Sequence, residues 1–517
     1  MRTPDCNILF ISADQLNAGC LSVAGHPTVR TPTIDGLAAA GVRFARHFGQ
    51  CPPCGPSRAS MLTGMYQMNH RSVQNGTPLD SSLTNLAMEV RRAGLVPWLI
   101  GYTDTSLDPR GRAESDPALR TYESVLPGMV QYAPGSERAT KDTSWRQYLR
   151  ELGYVNWDRP YLQVTGCDGS RERGPSYAPM RMKAEHSDTA FLTDRALRFL
   201  SEHRDRQFFL HLSYLRPHPP YVAPAPYNNM YRLEDVPDFA ALPTIEAEKA
   251  VHPFMAYRLT RFEMSEPPPY GPPPNDNIAW RQTRATYYGL VSELDAQLAR
   301  VLAALRDYGL DDRTLVIFTA DHGEMLGDHW CWGKEVPYEK AVHVPLVIRS
   351  PMMPATRGGA LVEAFSEHVD LMPTILDHLG LEPPLQCDGH SLMPFIEGSV
   401  PTNWRSAAHS EYDFREVIGG APEAFLGLKL DQCGMAAIRT QSAKYVHFAG
   451  LPPLCFDLAA DPDEMRDLAG DSASAVERLH LAGLMLDWRL IYARRELTGI
   501  ALDSTGPNYA ERARRVS

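Results

Sequence analysis

Two apolar runs far apart in this chain end in the same way. Asn7-Ile8-Leu9-Phe10-Ile11-Ser12 runs into Ala13-Asp14-Gln15, and Thr314-Leu315-Val316-Ile317-Phe318-Thr319 runs into Ala320-Asp321-His322-Gly323-Glu324. An unbroken apolar run of this length predicts a strand buried on both faces. Between them, Ser187 to Leu200 has an acidic start and apolar residues Phe191, Leu192, Ala196, Leu197 and Leu200 at helical spacing. Phe208 to Leu212 reads as another strand, followed by Arg216-Pro217-His218-Pro219-Pro220, and a long helix is predicted from about Arg281 to Arg306. Strands separated by helices require an α/β fold with a large, mostly parallel sheet covered by helices on both faces. Ligands of such sheets lie beyond the carboxyl ends of the strands, where Asp14, His218, Asp321 and His322 all fall.

After about Arg405 the pattern changes. Short extended pieces, Met435–Arg439 and Lys444–Phe448, precede a helix from about Ser474 to Arg494. We expect a catalytic α/β domain over 1–405 and a smaller C-terminal α+β part over 406–517. Within it, the polar, arginine-rich segment from Gly499 to Ser517 is a tail or an oligomer arm. Ser265 to Asn277 carries six prolines and reads as a structured loop.

The net charge of −11 argues against a nucleic-acid footprint, and no basic cluster marks a membrane surface. An anionic substrate must therefore be captured by charge local to the site. The apolar run Asn7 to Ile11 is too short for a signal core or a membrane span. Nine cysteines, an odd number without regular spacing, do not make a disulfide framework, and the expected compartment is the cytoplasm. Cys51 and Cys54 form a C-x-x-C, but Pro52-Pro53 lies between them and no second pair suggests zinc.

Pro56 fits the first turn of a helix running from Cys54 toward Thr63, so Cys54 sits where backbone N–H groups favour an anion. Asp14, Gln15, Asp321 and His322 offer two carboxylates, an amide oxygen and an imidazole, a mostly hard set suited to one divalent cation. Calcium, manganese and magnesium all remain open. Taken singly, His218 could be a packing residue and Lys334 a surface lysine.

Cys54-Gly55-Pro56-Ser57-Arg58, extended through Ala59-Ser60-Met61-Leu62-Thr63-Gly64, resembles the motif of the sulfatase family. So does Asp321-His322-Gly323-Glu324 followed by Leu326-Gly327-Asp328-His329. Met68-Asn69-His70-Arg71, Ile100-Gly101-Tyr102-Thr103 and Arg216-Pro217-His218-Pro219-Pro220 extend the likeness over nearly the whole chain. They are most similar to the bacterial phosphonate monoester hydrolases and their arylsulfatase relatives, within the alkaline phosphatase superfamily. The resemblance implies that Cys54 is oxidised to formylglycine by a maturation enzyme, and that the hydrated aldehyde supplies a hydroxyl nucleophile. It further implies that Asp14, Gln15, Asp321, His322 and residue 54 hold the metal, that Arg58 steadies the nucleophile, and that Asn75, Tyr102, His218 and Lys334 line the anion pocket. A homodimer or homotetramer is expected.

Asp104 departs from the resemblance, standing where the phosphonate hydrolases have threonine. His343 is a smaller departure, where related chains often have arginine. A carboxylate close to a substrate oxygen is costly, so Asp104 must turn away, pair with a cation or meet another part of the substrate. The leading expectation is therefore a sulfate monoester hydrolase that also takes phosphonate monoesters and phosphate diesters. The alternatives are phosphonate monoester or phosphodiester hydrolysis as the main activity and, from another class, a non-catalytic anion-binding relative. A two-metal phosphatase would leave Cys54 without a purpose.

Overall fold

The computed structural model describes residues 6–134, 144–154, 160–166, 170–265, 276–494 and 497–509. Its centre is an eight-stranded sheet. The strands are β1 (Asn7–Asp14), β2 (Val42–Phe48), β3 (Pro97–Gly101), β4 (Val130–Pro134), β5 (Phe209–Pro217), β6 (Thr314–Ala320), β7 (Leu346–Arg349) and β8 (Ala360–Glu367). They lie in the order β4-β3-β5-β1-β6-β7-β2-β8. All run parallel except β7, which is antiparallel to both β6 and β2.

Alternate side chains of the central strands enter different cores. Leu9 and Ile11 of β1, with Val316 and Phe318 of β6, pack toward the helices Asp188–His203 and Asn277–Asp307. Ile8, Phe10, Leu315 and Ile317 pack on the opposite face, toward the helices Cys54–Thr63 and Leu371–His378. A strand that must be apolar on both sides reads as an unbroken run, which is why β1 and β6 stand out in the sequence.

Register then builds the site. Ala13 lies opposite Ala320 and Asp14 opposite Pro217, so Asp14, Asp321 and His218 emerge at one edge of the sheet. The polypeptide leaving β2 turns into the helix Cys54–Thr63 at that same edge. At the end of β3, Gly101 adopts φ 107°, and an added Cβ would stand 2.0 Å from the Ser213 carbonyl oxygen. Only glycine lets β3 approach β5 this closely.

A second, antiparallel sheet consists of β9 (Ala408–Asp413), β10 (Gly434–Arg439), β11 (Ala443–Phe448) and β12 (Leu454–Asp457), in the order β12-β11-β10-β9. One face meets the helix Ala475–Tyr492 through Ile438, Tyr445, Leu481, Met485 and Trp488. The other face joins the main body through Phe254, Tyr412, Val446 and Phe448. The terminal segment read as a tail or arm contains a hairpin, β13 (Ile500–Asp503) and β14 (Gly506–Tyr509). Residues 510–517 and most of the proline-rich segment, 266–275, lie outside the described residues. Among the described residues no helix is long and apolar enough to cross a membrane.

Candidate active site

Asp14, Cys54, Asp321 and His322 converge at the sheet edge, all buried, with one ligand atom from each within 4.8 Å of the others. The Cys54 thiol donates to His322 Nε2 (3.1 Å) and lies 3.8 Å from Asp14 Oδ1. His322 donates through Nδ1 to the Gly323 carbonyl (3.1 Å), which leaves its Nε2 lone pair aimed into the cluster. Burial, then Lys334, holds the His322 imidazole well below its ordinary pKa, so the ring is neutral.

The two carboxyls carry unequal charge. Burial works to raise Asp14, but His218, Arg58 and Lys334 hold it well below the carboxylate range. Burial and the neighbouring Asp14 push Asp321 up to about 7. Two buried carboxyls this close resist simultaneous ionisation, and a divalent cation between them removes that resistance. The donor chemistry therefore fits the ion expected from the sequence.

Gln15 adopts a left-handed φ of 67°. Its backbone N–H donates to Asp321 Oδ1 (3.0 Å), and its carbonyl accepts from the Tyr287 hydroxyl (2.8 Å). The side-chain NH2 donates to Glu324, which turns Oε1 toward Lys334. Lys334 donates both to that oxygen (2.8 Å) and to Cys54 Sγ (3.3 Å). Desolvation opposes its charge, but Cys54, Asp14 and Asp321 together keep the ammonium protonated.

Arg58 is fully buried and lies under the carboxylates. It donates to Asp321 Oδ2 (2.9 Å), Asp14 Oδ2 (3.2 Å), the Tyr102 carbonyl (3.1 Å) and Ser213 Oγ (2.8 Å). The resemblance had Arg58 steadying the nucleophile; in the structure its side chain braces the carboxylates, and Lys334 donates to Cys54. Tyr102 likewise gives its hydroxyl proton to Asp14 Oδ2 (2.6 Å). Asn75 Oδ1 accepts from Gly55 N–H (2.9 Å) and so caps the helix that starts at Cys54.

Asp104 takes a left-handed φ of 47° and is buried, with Oδ2 3.9 Å from Arg58 Nε. Of the three arrangements the sequence allowed, this is pairing with a cation. Burial pushes its carboxyl up to about 7, against the pull of Arg58. His218 is half-buried and donates from Nδ1 to the Pro219 carbonyl (2.6 Å). Its loop is clamped by Arg216, which donates to the carbonyls of His218 (3.0 Å) and Pro220 (2.9 Å). Arg216 in turn faces Asp188 at 3.7 Å. His343, the second departure, donates from Nε2 to the Ala45 carbonyl (2.9 Å) and stacks on Phe48, a packing role.

Three supporting residues were not assigned from sequence. Glu324 stood inside a quoted motif, and its acceptor role toward Gln15 and the Gly333 N–H (2.6 Å) needed the folded loop. Arg216 was quoted only beside His218. Ser213 is a small polar residue within a largely apolar, fully buried stretch of β5, a signal that could have been read as a buried hydrogen-bonding position.

The sulfatase family profile matches residues 6–381, and the profile for the C-terminal region of N-sulphoglucosamine sulphohydrolase matches 327–487. A multifunctional alkaline phosphatase superfamily protein from Trinickia caryophylli is 40% identical over 501 residues, spanning 95% of this chain and 96% of that protein. An arylsulfatase from Clostridium perfringens is 28% identical, spanning 79% and 82% of the two chains. The phosphonate monoester hydrolase of Agrobacterium radiobacter superposes with a TM-score of 0.93 at 42% identity, covering 98% of this chain and all of that one. With a matching profile over most of its length and these full-length likenesses, the chain belongs to the sulfatase family of the alkaline phosphatase superfamily.

Proposed function

We propose that the protein is a formylglycine-dependent hydrolase of singly charged tetrahedral esters, with phosphonate monoesters as its main substrates. The carrying observation is Cys54 inside the candidate ligand set, touched by both His322 and Lys334. Burial and Asp14 push the Cys54 thiol well above its ordinary pKa, so an unmodified cysteine is a poor nucleophile here. That supports conversion by a maturation enzyme to formylglycine, whose hydrate supplies a hydroxyl for attack.

Asp14, Gln15, Asp321 and His322 would hold one calcium, manganese or magnesium ion with residue 54, and the ion would lower the cost of bringing one anion to another. Lys334 supplies positive charge beside residue 54, and His218 holds a proton for the departing oxygen. Arg58 and Tyr102 keep Asp14 and Asp321 oriented, while Asn75 fixes the helix end. One cation beside two carboxylates suits a monoanion better than a phosphate monoester dianion.

The likeness to phosphonate monoester hydrolases supports the order of substrates. Sulfate monoester hydrolysis is the second reading, favoured by the Asp104–Arg58 pair, which holds the carboxylate against a buried cation. The cytoplasm is the proposed compartment, on the cysteine count.

The test is a kinetic panel with one phenol as leaving group on phosphonate monoester, sulfate, phosphate diester and phosphate monoester. We expect kcat/KM to fall in the order phosphonate, sulfate, phosphate dianion. Cys54→Ala should lose about 10³-fold or more on every substrate. A dianion preferred over both monoanions would overturn the reading, as would full activity in protein whose mass shows only unmodified cysteine at position 54.

A further inference from the structure

Lys334 reaches residue 54 from a loop that should not hold its shape unaided. Leu326, His329 and Trp330, none of them glycine, take left-handed φ values of 54°, 53° and 57°. A β-carbon disfavours that conformation, so it persists only where the surroundings impose it. His329 stacks on Tyr338 with ring centroids 3.6 Å apart, which closes residues 330–337 into a loop with Lys334 midway along it. The base of that loop meets the C-terminal part of the chain. His329 donates from Nε2 to the Asp463 carbonyl (2.8 Å), and Lys340 donates to Asp463 Oδ1 (3.0 Å). The Glu339 N–H donates to Glu464 Oε2 (2.6 Å).

We propose that Asp463 and Glu464 are positioning residues for Lys334, an inference that rests on the role proposed for that lysine above. They lie beyond β12, in a turn that grips the lysine's loop on both sides, at His329 before it and at Glu339 and Lys340 after it. Loosening the turn would let the ammonium swing away from Cys54 and Gln15 on its long flexible stem. Asp14 and Asp321 would stay fixed at the strand ends.

The gripping turn is itself strained in a way that packing does not explain. Glu464 too has a left-handed φ, 57°. Its carboxylate is paired with Lys444 of β11, Nζ to Oε1 2.6 Å, and the lysine and glutamate side chains are only 2% and 3% exposed. A buried ion pair is often no more stabilising than apolar residues of the same volume. What the pair supplies here is direction: with Oε1 held by Lys444, Oε2 is left to face the Glu339 N–H. Glu339 is fixed from its other end by Arg439 of β10, at 2.9 Å. Lys340 also donates to Asp328 (2.6 Å), so one cation ties both flanks of the loop to Asp463.

A double-mutant cycle tests the clamp. Lys444→Met combined with Glu464→Met leaves no charge buried alone, so the protein should fold. It should lower kcat/KM about tenfold with bound metal unaltered, yet less than about twofold where Lys334→Ala is already present. A merely structural defect would cost the same in both backgrounds. Lys444→Met with Glu464→Gln should recover most of the loss, because the amide oxygen still accepts from the Glu339 N–H. Wild-type activity in the Lys444→Met, Glu464→Met protein would overturn the clamp alone, and so would equal losses with and without Lys334. Full activity in Lys334→Ala would overturn the role of the lysine and the clamp with it.

Discussion

The floor and the wall of the site are built by different rules. The floor consists of Asp14 and Asp321 at the ends of adjacent parallel strands, with Arg58 and Tyr102 beneath them. Every polar atom of the Arg58 contact set is met by a named partner within the fold. The wall consists of Asp104, His218 and Lys334, carried on connecting segments, with Asp104 in a left-handed conformation. Strand ends are positioned by the whole sheet, so the floor can hold like charges close together. Loop residues are positioned by a few local bonds, such as the Arg216 clamp on the His218 turn. Under the proposed function, the floor would set what chemistry is available and the wall which ester is accepted.

The sharpest way to break that comparison is Asp321→Asn. It should remove bound metal and about 10³-fold or more of the activity on all substrates alike. Metal analysis alongside kcat/KM checks it, and a substrate-selective loss would move Asp321 from floor to wall. Glu324→Gln comes next. Losing the carboxylate that orients the Gln15 amide should weaken metal affinity about 10- to 100-fold, read by titration of metal-free protein.

Asp104→Thr tests the wall. It should change the ratio of phosphonate to sulfate kcat/KM by about tenfold in favour of phosphonate, with metal content unaltered. An unchanged ratio would show that Asp104 does not set selectivity.

The smallest effect concerns the support beneath His218. Burial and Asp188 push the Glu293 carboxyl up to about 7. The folded state then binds a proton that the unfolded chain releases near pH 4.5. Stability from this group is full below that value, falls as pH rises, and is lost above about pH 7. Glu293→Gln should therefore melt a few degrees above wild type at pH 8 and match it near pH 4. A constant difference across pH would assign the effect to packing instead.

The floor was legible in the sequence because strand burial and strand ending are both local patterns. Asn7–Ile11 and Thr314–Phe318 had to be strands, and Asp14 and Asp321 had to follow them. The helix at Cys54 was legible through Pro56. The wall was legible only as residue identities. Asp104 stood out as a departure, yet its turn onto Arg58 depends on a backbone conformation that no spacing announces. Glu324 and Ser213 acquire their roles from partners distant in sequence. The hairpin at Ile500–Tyr509 was missed because its strands are too short to show alternation. The exposed apolar stripe Val476, Leu479, Leu486 and Leu490 was hidden differently: the helix itself was expected, but two apolar stripes look like one broad stripe until the packed side is known.

All ten residues of the helix Cys54–Thr63 are buried, its first residue included. Any enzyme that alters Cys54 needs the run through Arg58 as an open strand of chain, with the thiol in reach of its own reactive centre. That condition exists only before the helix docks between the sheet and its covering layer. Under the proposed function, time would therefore enter the chemistry of this site: alteration and folding would compete for the same segment, and a chain that folded first would keep its thiol until it unfolded.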